Sequence, residues 1–162
     1  MRVTLMLTAV LFVSACETMA TPTAQAEPKD PPSVSTARAV NLFNEVCTKS
    51  LPKFASAEKR MQSVGATFVA SSGTAFSPNE NVSFKILDGP DIRKTCSMTF
   101  VSPDNRSKAF AAFSERGEII TLSDRAEIVI NNPDFGGAVI LFLGPDIYQG
   151  KNFYNVKMLS ES

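Results

Sequence analysis

The sequence contains no histidine, and this absence excludes several common kinds of catalytic and metal site. A Ser-His-Asp triad, a Cys-His dyad and a zinc ion held by imidazole all need a histidine side chain. The sequence also lacks a glycine-rich loop of the kind that cradles phosphate groups. The remaining routes to enzyme chemistry therefore use carboxylates, serine or lysine.

The chain has no excess of charge of one sign, since 16 Lys and Arg residues balance 16 Asp and Glu residues. A surface that binds nucleic acid usually shows as a surplus of basic residues, so nucleic acid is not an expected partner. The apolar stretch at the start of the chain is also short and runs only from Val3 to Ala15. A membrane-spanning helix needs about 20 apolar residues. This stretch instead has the length of the apolar core of a secretory signal, about 7–15 residues.

The first residues have the features of an export signal followed by a lipid anchor. Met1-Arg2 supplies positive charge, and the apolar stretch closes on Val13-Ser14-Ala15-Cys16. This order resembles the lipobox signal of bacterial lipoproteins, and the resemblance covers residues 1–16 only. It implies that the Cys16 thiol carries a diacylglyceryl group, that the chain is cut before Cys16 and that the new amine is acylated. The resemblance also implies that Glu17, at a position where aspartate favours the inner membrane, favours the outer membrane. The protein would then face the periplasm.

Two alternatives remain for this segment. Ala24-Gln25-Ala26 has the small-x-small form of an ordinary cleavage site, and cleavage there would release a soluble periplasmic protein. That site ends eleven residues beyond the apolar stretch, which is far for the enzyme that makes this cut. The other alternative is a cytosolic protein whose first residues form a buried helix.

The predicted organisation has three parts. They are a signal peptide over 1–15, the lipidated cysteine and a tether over 16–35, and a single globular domain over 36–162. The tether holds four prolines and almost no large apolar side chains, so it cannot bury enough surface to fold. Proline favours an extended course of about 3.1 Å per residue, so we expect this segment to hold the domain away from the membrane.

The three cysteines are an odd number for an exported protein. Lipidation of Cys16 leaves Cys47 and Cys96, which an oxidising envelope would join. Cys47 lies on the apolar side of a predicted helix and Cys96 on the apolar side of a predicted strand, so both are expected to point inward. The sequence therefore predicts a disulfide between a helix and the sheet. The alternative is two buried free thiols.

Hydrophobic periodicity predicts an α+β domain in which about three helices pack on an antiparallel sheet. The first predicted helix covers 36–49 and is capped by Ser35. The second runs from Pro52 to Gly65, and the third runs to Gly117 with Ser102 as its cap. The predicted strands lie over 67–70, 82–86, 95–100, 119–122, 127–130, 138–143 and 153–159, with a polar loop from Ser71 to Asn81. Because residues 138–143 are all apolar, we expect this strand to be central and covered on both faces.

One tetrapeptide occurs twice. Gly89-Pro90-Asp91-Ile92 recurs as Gly144-Pro145-Asp146-Ile147. Each copy follows an aliphatic strand and lies downstream of a helix that a glycine ends, so the recurrence predicts two related halves, each a helix followed by strands. The alternative is that Pro-Asp is favourable turn chemistry that the chain uses twice.

Two short patterns bear on enzyme chemistry. Ser56-Ala57-Glu58-Lys59 matches the Ser-x-x-Lys of penicillin-binding enzymes, but their third motif is missing and the chain is too short for their fold. Asp88 and Asp91 share one predicted turn, and paired carboxylates can act as acid and base or bind calcium. Calcium needs six or more oxygen ligands, however, and no regular acidic loop is present. In both cases exposed polar residues are the simpler interpretation.

Together these observations favour a lipid-anchored protein of the cell envelope that acts as a non-enzymatic binding or assembly module. Its expected partners are the membrane, through the anchor, and another envelope protein. No catalytic residue, cofactor or metal ligand is predicted. The first alternative is a domain that binds a small ligand or lipid between helices and sheet, and the second is a hydrolase that uses carboxylates or Ser and Lys.

Overall fold

A computed structural model describes residues 30–88, 94–115, 117–122, 125–132 and 136–160 of the chain. Within these residues there are three α-helices, one short 3-10 helix and eight strands. The helices are α1 (Thr36–Val46), the 3-10 turn (Thr48–Ser50), α2 (Ala57–Ser63) and α3 (Arg106–Ser114). The strands are β1 (Thr67–Val69), β2 (Thr74–Phe76), β3 (Val82–Asp88), β4 (Lys94–Ser102), β5 (Glu118–Leu122), β6 (Arg125–Asn132), β7 (Gly136–Tyr148) and β8 (Lys151–Ser160).

All eight strands form one antiparallel sheet in the order β1-β2-β3-β4-β8-β7-β6-β5. The first four strands and the last four each run as a meander, and the final strands of the two meanders, β4 and β8, meet at the centre. The predicted α+β class, with three helices and an antiparallel sheet, is confirmed.

The helices cover one face of the sheet, which we call the inner face. Buried side chains from all three helices join the alternate strand residues of that face in a single hydrophobic core. An aromatic cluster lies at its centre, where the ring centroids of Phe43 and Phe113 are 5.6 Å apart and those of Phe100 and Tyr154 are 5.2 Å apart. Offset and edge-to-face contacts of this kind stabilise the core beyond the burial of apolar area.

The first helix begins as its sequence predicts. The Ser35 hydroxyl accepts a hydrogen bond from the Arg38 backbone N–H at 3.2 Å, which satisfies a donor that the first helical turn leaves free. Cys47 follows the helix and is bonded to Cys96 of β4, with Cα atoms 5.6 Å apart. The predicted disulfide between helix and sheet is thus confirmed, and both cysteines are fully buried.

The predicted start of the second helix at Pro52 is wrong. The chain first makes a turn in which the Phe54 backbone N–H donates to the Ser50 carbonyl at 2.7 Å, and Phe54 itself has a φ of 53°. This positive φ lies outside the helical region, so the helix begins only at Ala57. Phe54 is buried as expected, but it reaches the core from the turn. Gly65 follows the helix with a φ of 84°, as predicted for a helix end.

The third helix also begins later than predicted, and Ser102 is not its cap. Ser102 is the last residue of β4, paired with Asn152, and its hydroxyl accepts from the Asp104 backbone N–H at 3.3 Å. The cap is Asn105, whose side-chain oxygen accepts from the Lys108 backbone N–H at 2.9 Å. Ser102 and Asn105 can both cap a helix. Because Ser102 is paired within the sheet, Asn105 takes this role.

Asp104 ties the starts of α1 and α3 together. Its Oδ2 accepts from the Thr36 backbone N–H at 3.1 Å and from the Thr36 hydroxyl at 2.5 Å, and its Oδ1 lies 2.7 Å from the Lys108 ammonium. The hydrogen bond from Lys108, followed by those from Thr36, lowers the pKa of this carboxyl from 3.8 to about 2. The Asp104 backbone carbonyl accepts from the buried Tyr154 hydroxyl at 2.7 Å. Burial and the nearby Asp104 charge raise the pKa of Tyr154.

Two strand predictions need correction. Residues 74–76, which were expected in a polar loop, form β2 and pair with both β1 and β3. The strand is only three residues long and buries only Ala75, while Phe76 is exposed, so its sequence shows no clear alternation of buried and exposed residues. In β7, alternate residues 138, 140 and 142 are buried on the inner face, but 139, 141 and 143 are only half-buried. The strand is interior to the sheet, yet it is not fully covered on both faces as predicted.

The last residues of the predicted tether belong to the folded domain. The Pro32 carbonyl accepts from the Asn81 backbone N–H at 2.8 Å, the Val34 backbone N–H donates to the Val101 carbonyl at 2.8 Å, and Val34 is buried in the core. The predicted boundary at residue 35 is therefore too late, because the domain includes residues 30–35. No helix in the described ranges has the length and hydrophobicity needed to span a bilayer.

Candidate functional site

The outer face of the sheet, opposite the helices, carries an open trough of about 470 Å³. Strand register aligns eight of its lining residues in two rows across β2, β3, β4 and β8. The rows are Phe76-Ser83-Thr99-Asn155 and Thr74-Lys85-Ser97-Lys157. Since neighbouring strands lie about 4.8 Å apart, each row is about 14 Å long. Apart from Phe76, the side chains in these rows are hydroxyls, an amide and two ammonium groups.

Hydrogen bonds fix the polar residues at the centre of the trough. The Asn155 side-chain amide donates to the Thr99 hydroxyl at 2.8 Å and to the Ser97 hydroxyl at 3.1 Å. Each hydroxyl thereby accepts one bond and keeps its own O–H donor for another acceptor. The Asn155 oxygen Oδ1 is buried and has no hydrogen-bond partner among the described residues. An unpaired buried polar atom costs about 1–3 kcal/mol, so this oxygen lowers the stability of the fold.

Two lysines bracket these hydroxyls. Lys85 and Lys157 lie on either side of Ser97 in the same row, which places their backbones about 10 Å apart. Among the side chains that the structure describes, neither lysine has an ion-pair partner, whereas Lys94, Lys108 and other lysines do. The trough therefore offers two positive charges and several O–H donors, a combination that suits a ligand rich in carboxylate or other anionic acceptors.

A second open cavity, of about 390 Å³, continues the trough towards the point where the chain enters the domain. It shares Phe76, Ser83 and Thr99 with the trough and adds Asp30, Pro31 and Phe153. Asp30 is held there by Lys151, whose ammonium lies 2.8 Å from its carboxylate, and this hydrogen bond lowers the pKa of Asp30. The segment that precedes residue 30 thus joins the domain on the same face as the trough.

Of the three cysteines predicted as site residues, the two that the structure describes lie apart from this trough. Cys47 and Cys96 form the disulfide within the core on the inner face. Cys16, the predicted lipidation site, lies outside the described residues, as does the whole segment 1–29. The lipid anchor thus stays a prediction.

The residues weighed for enzyme chemistry are not assembled into a site. The Ser56 hydroxyl accepts from the Arg60 guanidinium at 3.3 Å, and Lys59 is exposed beside them on α2. Asp88 is exposed and its carboxylate lies 3.7 Å from the Lys94 ammonium, while Asp91 lies outside the described residues. In the described part of the chain, no group of three or more His, Cys, Asp or Glu side chains is arranged to hold a metal ion.

Comparison of the chain with protein-family models, with curated proteins and with solved structures finds no match. The geometry of the trough is therefore the basis for a functional proposal.

The sequence pattern indicates which face of the sheet each trough residue occupies, but it does not show that these residues come together. The polar residues Ser97, Thr99 and Lys157 alternate with apolar ones, which predicts only that they face away from the core. Their convergence depends on β8 pairing with β4, a contact between segments more than fifty residues apart in the chain. The one sequence feature that could have indicated this site is the number of hydroxyl and lysine residues on the polar faces of three strands.

Proposed function

We propose that this protein is a lipid-anchored, non-enzymatic binding module of the bacterial cell envelope, and that its outer-face trough holds an acidic segment of an envelope protein. The lipobox-like sequence ending at Cys16 supports the anchor, and Glu17 supports the outer membrane. The single observation that carries the binding proposal is the position of Lys85 and Lys157, which bracket the hydroxyl groups of the trough and have no ion-pair partner among the described side chains.

The shape of the trough supports a protein segment as the ligand. The trough is open along its length and continues into the second cavity, so it can accommodate an extended chain. Carboxylates of such a segment would meet the two ammonium groups and the O–H donors.

A synthetic probe tests the binding proposal directly. We expect a fluorescein-labelled peptide of alternating glutamate and serine to bind the purified protein, with an anisotropy change that weakens as salt is added. Lys85→Glu combined with Lys157→Glu should weaken binding at least about tenfold, equivalent to about 1.4 kcal/mol. The matched control is Lys53→Glu with Lys59→Glu, which makes the same change in net charge at exposed positions near α2. Equal losses in the two double variants, or no binding at all, would contradict the proposal.

The anchor is tested separately. Cys16→Ala should release the protein from membranes into the soluble envelope fraction, and the intact mass of the wild-type protein should show acyl chains on residue 16. A mature chain that begins at another residue, for example after Ala26, without acylation would favour the soluble periplasmic alternative.

The other two functions receive less support. A lipid or small ligand between helices and sheet would need space that the aromatic cluster occupies in the core, where Phe113 and Phe142 are 5.6 Å apart. A hydrolase that uses Ser56 would need a base beside the serine, and its described hydrogen-bond partners are Arg60 and Ser50.

We also propose that the domain arose from two related halves. Each half contains a helix and a four-strand meander, α2 with β1–β4 and α3 with β5–β8, and the sheet order runs symmetrically outward from β4 and β8. The second tetrapeptide copy lies near the end of β7, the third strand of its half. The first copy lies outside the described residues. It directly follows β3, the third strand of the other half, in the sequence. In an experimental structure, superposing 57–102 on 106–160 should bring Gly89 onto Gly144, and unlike positions would refute the duplication.

A further inference from the structure

We propose that the hairpin joining β7 to β8 is a membrane-docking element that inserts Ile147 and Tyr148 into the surface of the lipid bilayer. This inference rests on the lipid anchor of the proposed function. It adds a second contact between the protein and the membrane, made by the folded domain itself.

The hairpin tip exposes apolar surface to an unusual degree for this protein. Ile147 is 74% exposed and Tyr148 is 63% exposed, the two highest values among the large hydrophobic residues that the structure describes as exposed. As consecutive strand residues they project from opposite sides of the hairpin, so both sides of its tip expose a large apolar group of the kind that contacts a partner or a membrane. Aromatic residues with a polar end, such as tyrosine, favour the bilayer interface, where the ring is in contact with apolar groups and the hydroxyl with water.

The tip is also held in a defined conformation. Gln149 and Gly150 connect the strands with φ values of 49° and 72°, the two positive values that a tight type I′ hairpin turn requires. The Tyr148 ring packs edge-on against Phe153, with ring centroids 6.2 Å apart. Residues 147–150 carry no charged side chain, so inserting them would not require the desolvation of a charge.

The position of the hairpin identifies the bilayer as its partner. Lys151, the first residue of β8, forms an ion pair with Asp30, the first described residue after the segment that leads back to Cys16. The anchor segment therefore leaves the domain directly beside the hairpin. Asp30 lies fourteen positions after Cys16, so an extended proline-rich course at about 3.1 Å per residue spans about 43 Å. The anchor segment therefore allows the domain either to stand off the membrane or to approach it, and the tip lies at the end of the domain where this segment attaches.

The absence of tryptophan from the chain allows a clean test. Tyr148→Trp in the full-length, anchored protein introduces a single fluorophore at the tip. In vesicles of phosphatidylethanolamine and phosphatidylglycerol, we expect its emission to shift to shorter wavelength and to be quenched when the lipids are brominated in their acyl chains. The matched control is Phe68→Trp on β1, at the sheet edge, where the native side chain is 45% exposed. The control emission should not change with brominated lipids.

The outcomes separate this inference from the anchor. Acylation of Cys16, seen in the intact mass, together with an unquenched Tyr148→Trp signal would overturn the inference and leave the anchor standing. A chain without acylation would remove the anchor, and the quenching of Tyr148→Trp by added vesicles would still decide whether the tip enters lipid. Equal quenching at positions 148 and 68 would also overturn the inference. So would a shift that depends on protein concentration without lipid, because it would assign the tip to contact with a second copy of the chain.

Discussion

Removing the charge of Asp104 should destabilise the fold in a manner that depends on pH. Asp104→Asn keeps the size of the side chain but loses the negative charge that accepts from Thr36 at the start of α1 and that pairs with Lys108. The wild-type carboxyl has its pKa lowered from 3.8 to about 2. At about 1.4 kcal/mol per pKa unit, this shift corresponds to roughly 2 kcal/mol of stability at neutral pH.

The direction of the pH dependence follows from the lowered pKa. The folded state binds the proton more weakly than the unfolded state, so the contribution is fully present above about pH 4 and is lost as the pH falls towards 2. By linkage, about half of it is gone at pH 3. The Asp104 side chain is only 14% exposed, but Lys108 is 69% exposed, so solvent screens part of their attraction. We therefore expect a loss of about 1–2 kcal/mol in the variant at pH 7.

Urea denaturation followed by circular dichroism at several pH values between 3 and 7 measures this effect. The difference in unfolding free energy between wild type and Asp104→Asn should be largest at pH 7 and should shrink towards pH 3. The matched control is Asp88→Asn, because its side chain is 85% exposed and its contact with Lys94 is 3.7 Å long. That change should cost less than about 0.5 kcal/mol at every pH. A loss in Asp104→Asn that is constant across the pH range would refute the electrostatic explanation.

Three further predictions concern stability and use the same denaturation assay. Replacing Cys47 and Cys96 together by serine should lower the unfolding free energy by about 4 kcal/mol, because the disulfide closes a loop with a sequence separation of 49 residues. A loss below about 1 kcal/mol would contradict its assignment as a stabilising link. Gly144→Ala should cost about 2 kcal/mol or more, since φ is 104° and the new Cβ would lie 2.7 Å from a backbone oxygen of β8. The control Gly65→Ala meets no atom within 4 Å and should cost about 1 kcal/mol, so equal losses would be inconsistent with the proposed clash. Tyr154→Phe removes a hydroxyl that donates at 2.7 Å and should cost about 1 kcal/mol, whereas an unchanged stability would show that the bond contributes nothing.

Local chemistry determined the features that the sequence predicted correctly. The Ser35 cap, the helix end at Gly65 and the inward side of β4 each depend on residues a few positions apart, and these relations are visible in the chain itself. The disulfide between Cys47 and Cys96 could be predicted for the same reason, because each cysteine lies on the apolar side of its own element. The lipobox-like segment is also a local pattern, and the anchor that it indicates stays a prediction.

Pairing between distant segments decided the rest. Strand β2 has one buried residue and exists because β1 and β3 offer hydrogen-bonding edges on both of its sides. Period-two alternation indicates which face a residue occupies, but it carries no information on which strand lies next to it. The trough required β4 and β8 to be neighbours so that Ser97 and Lys157 share a row. The sequence by itself therefore determined the class of fold and the inner face, while the contents of the outer face were decided only when the two halves of the sheet came together.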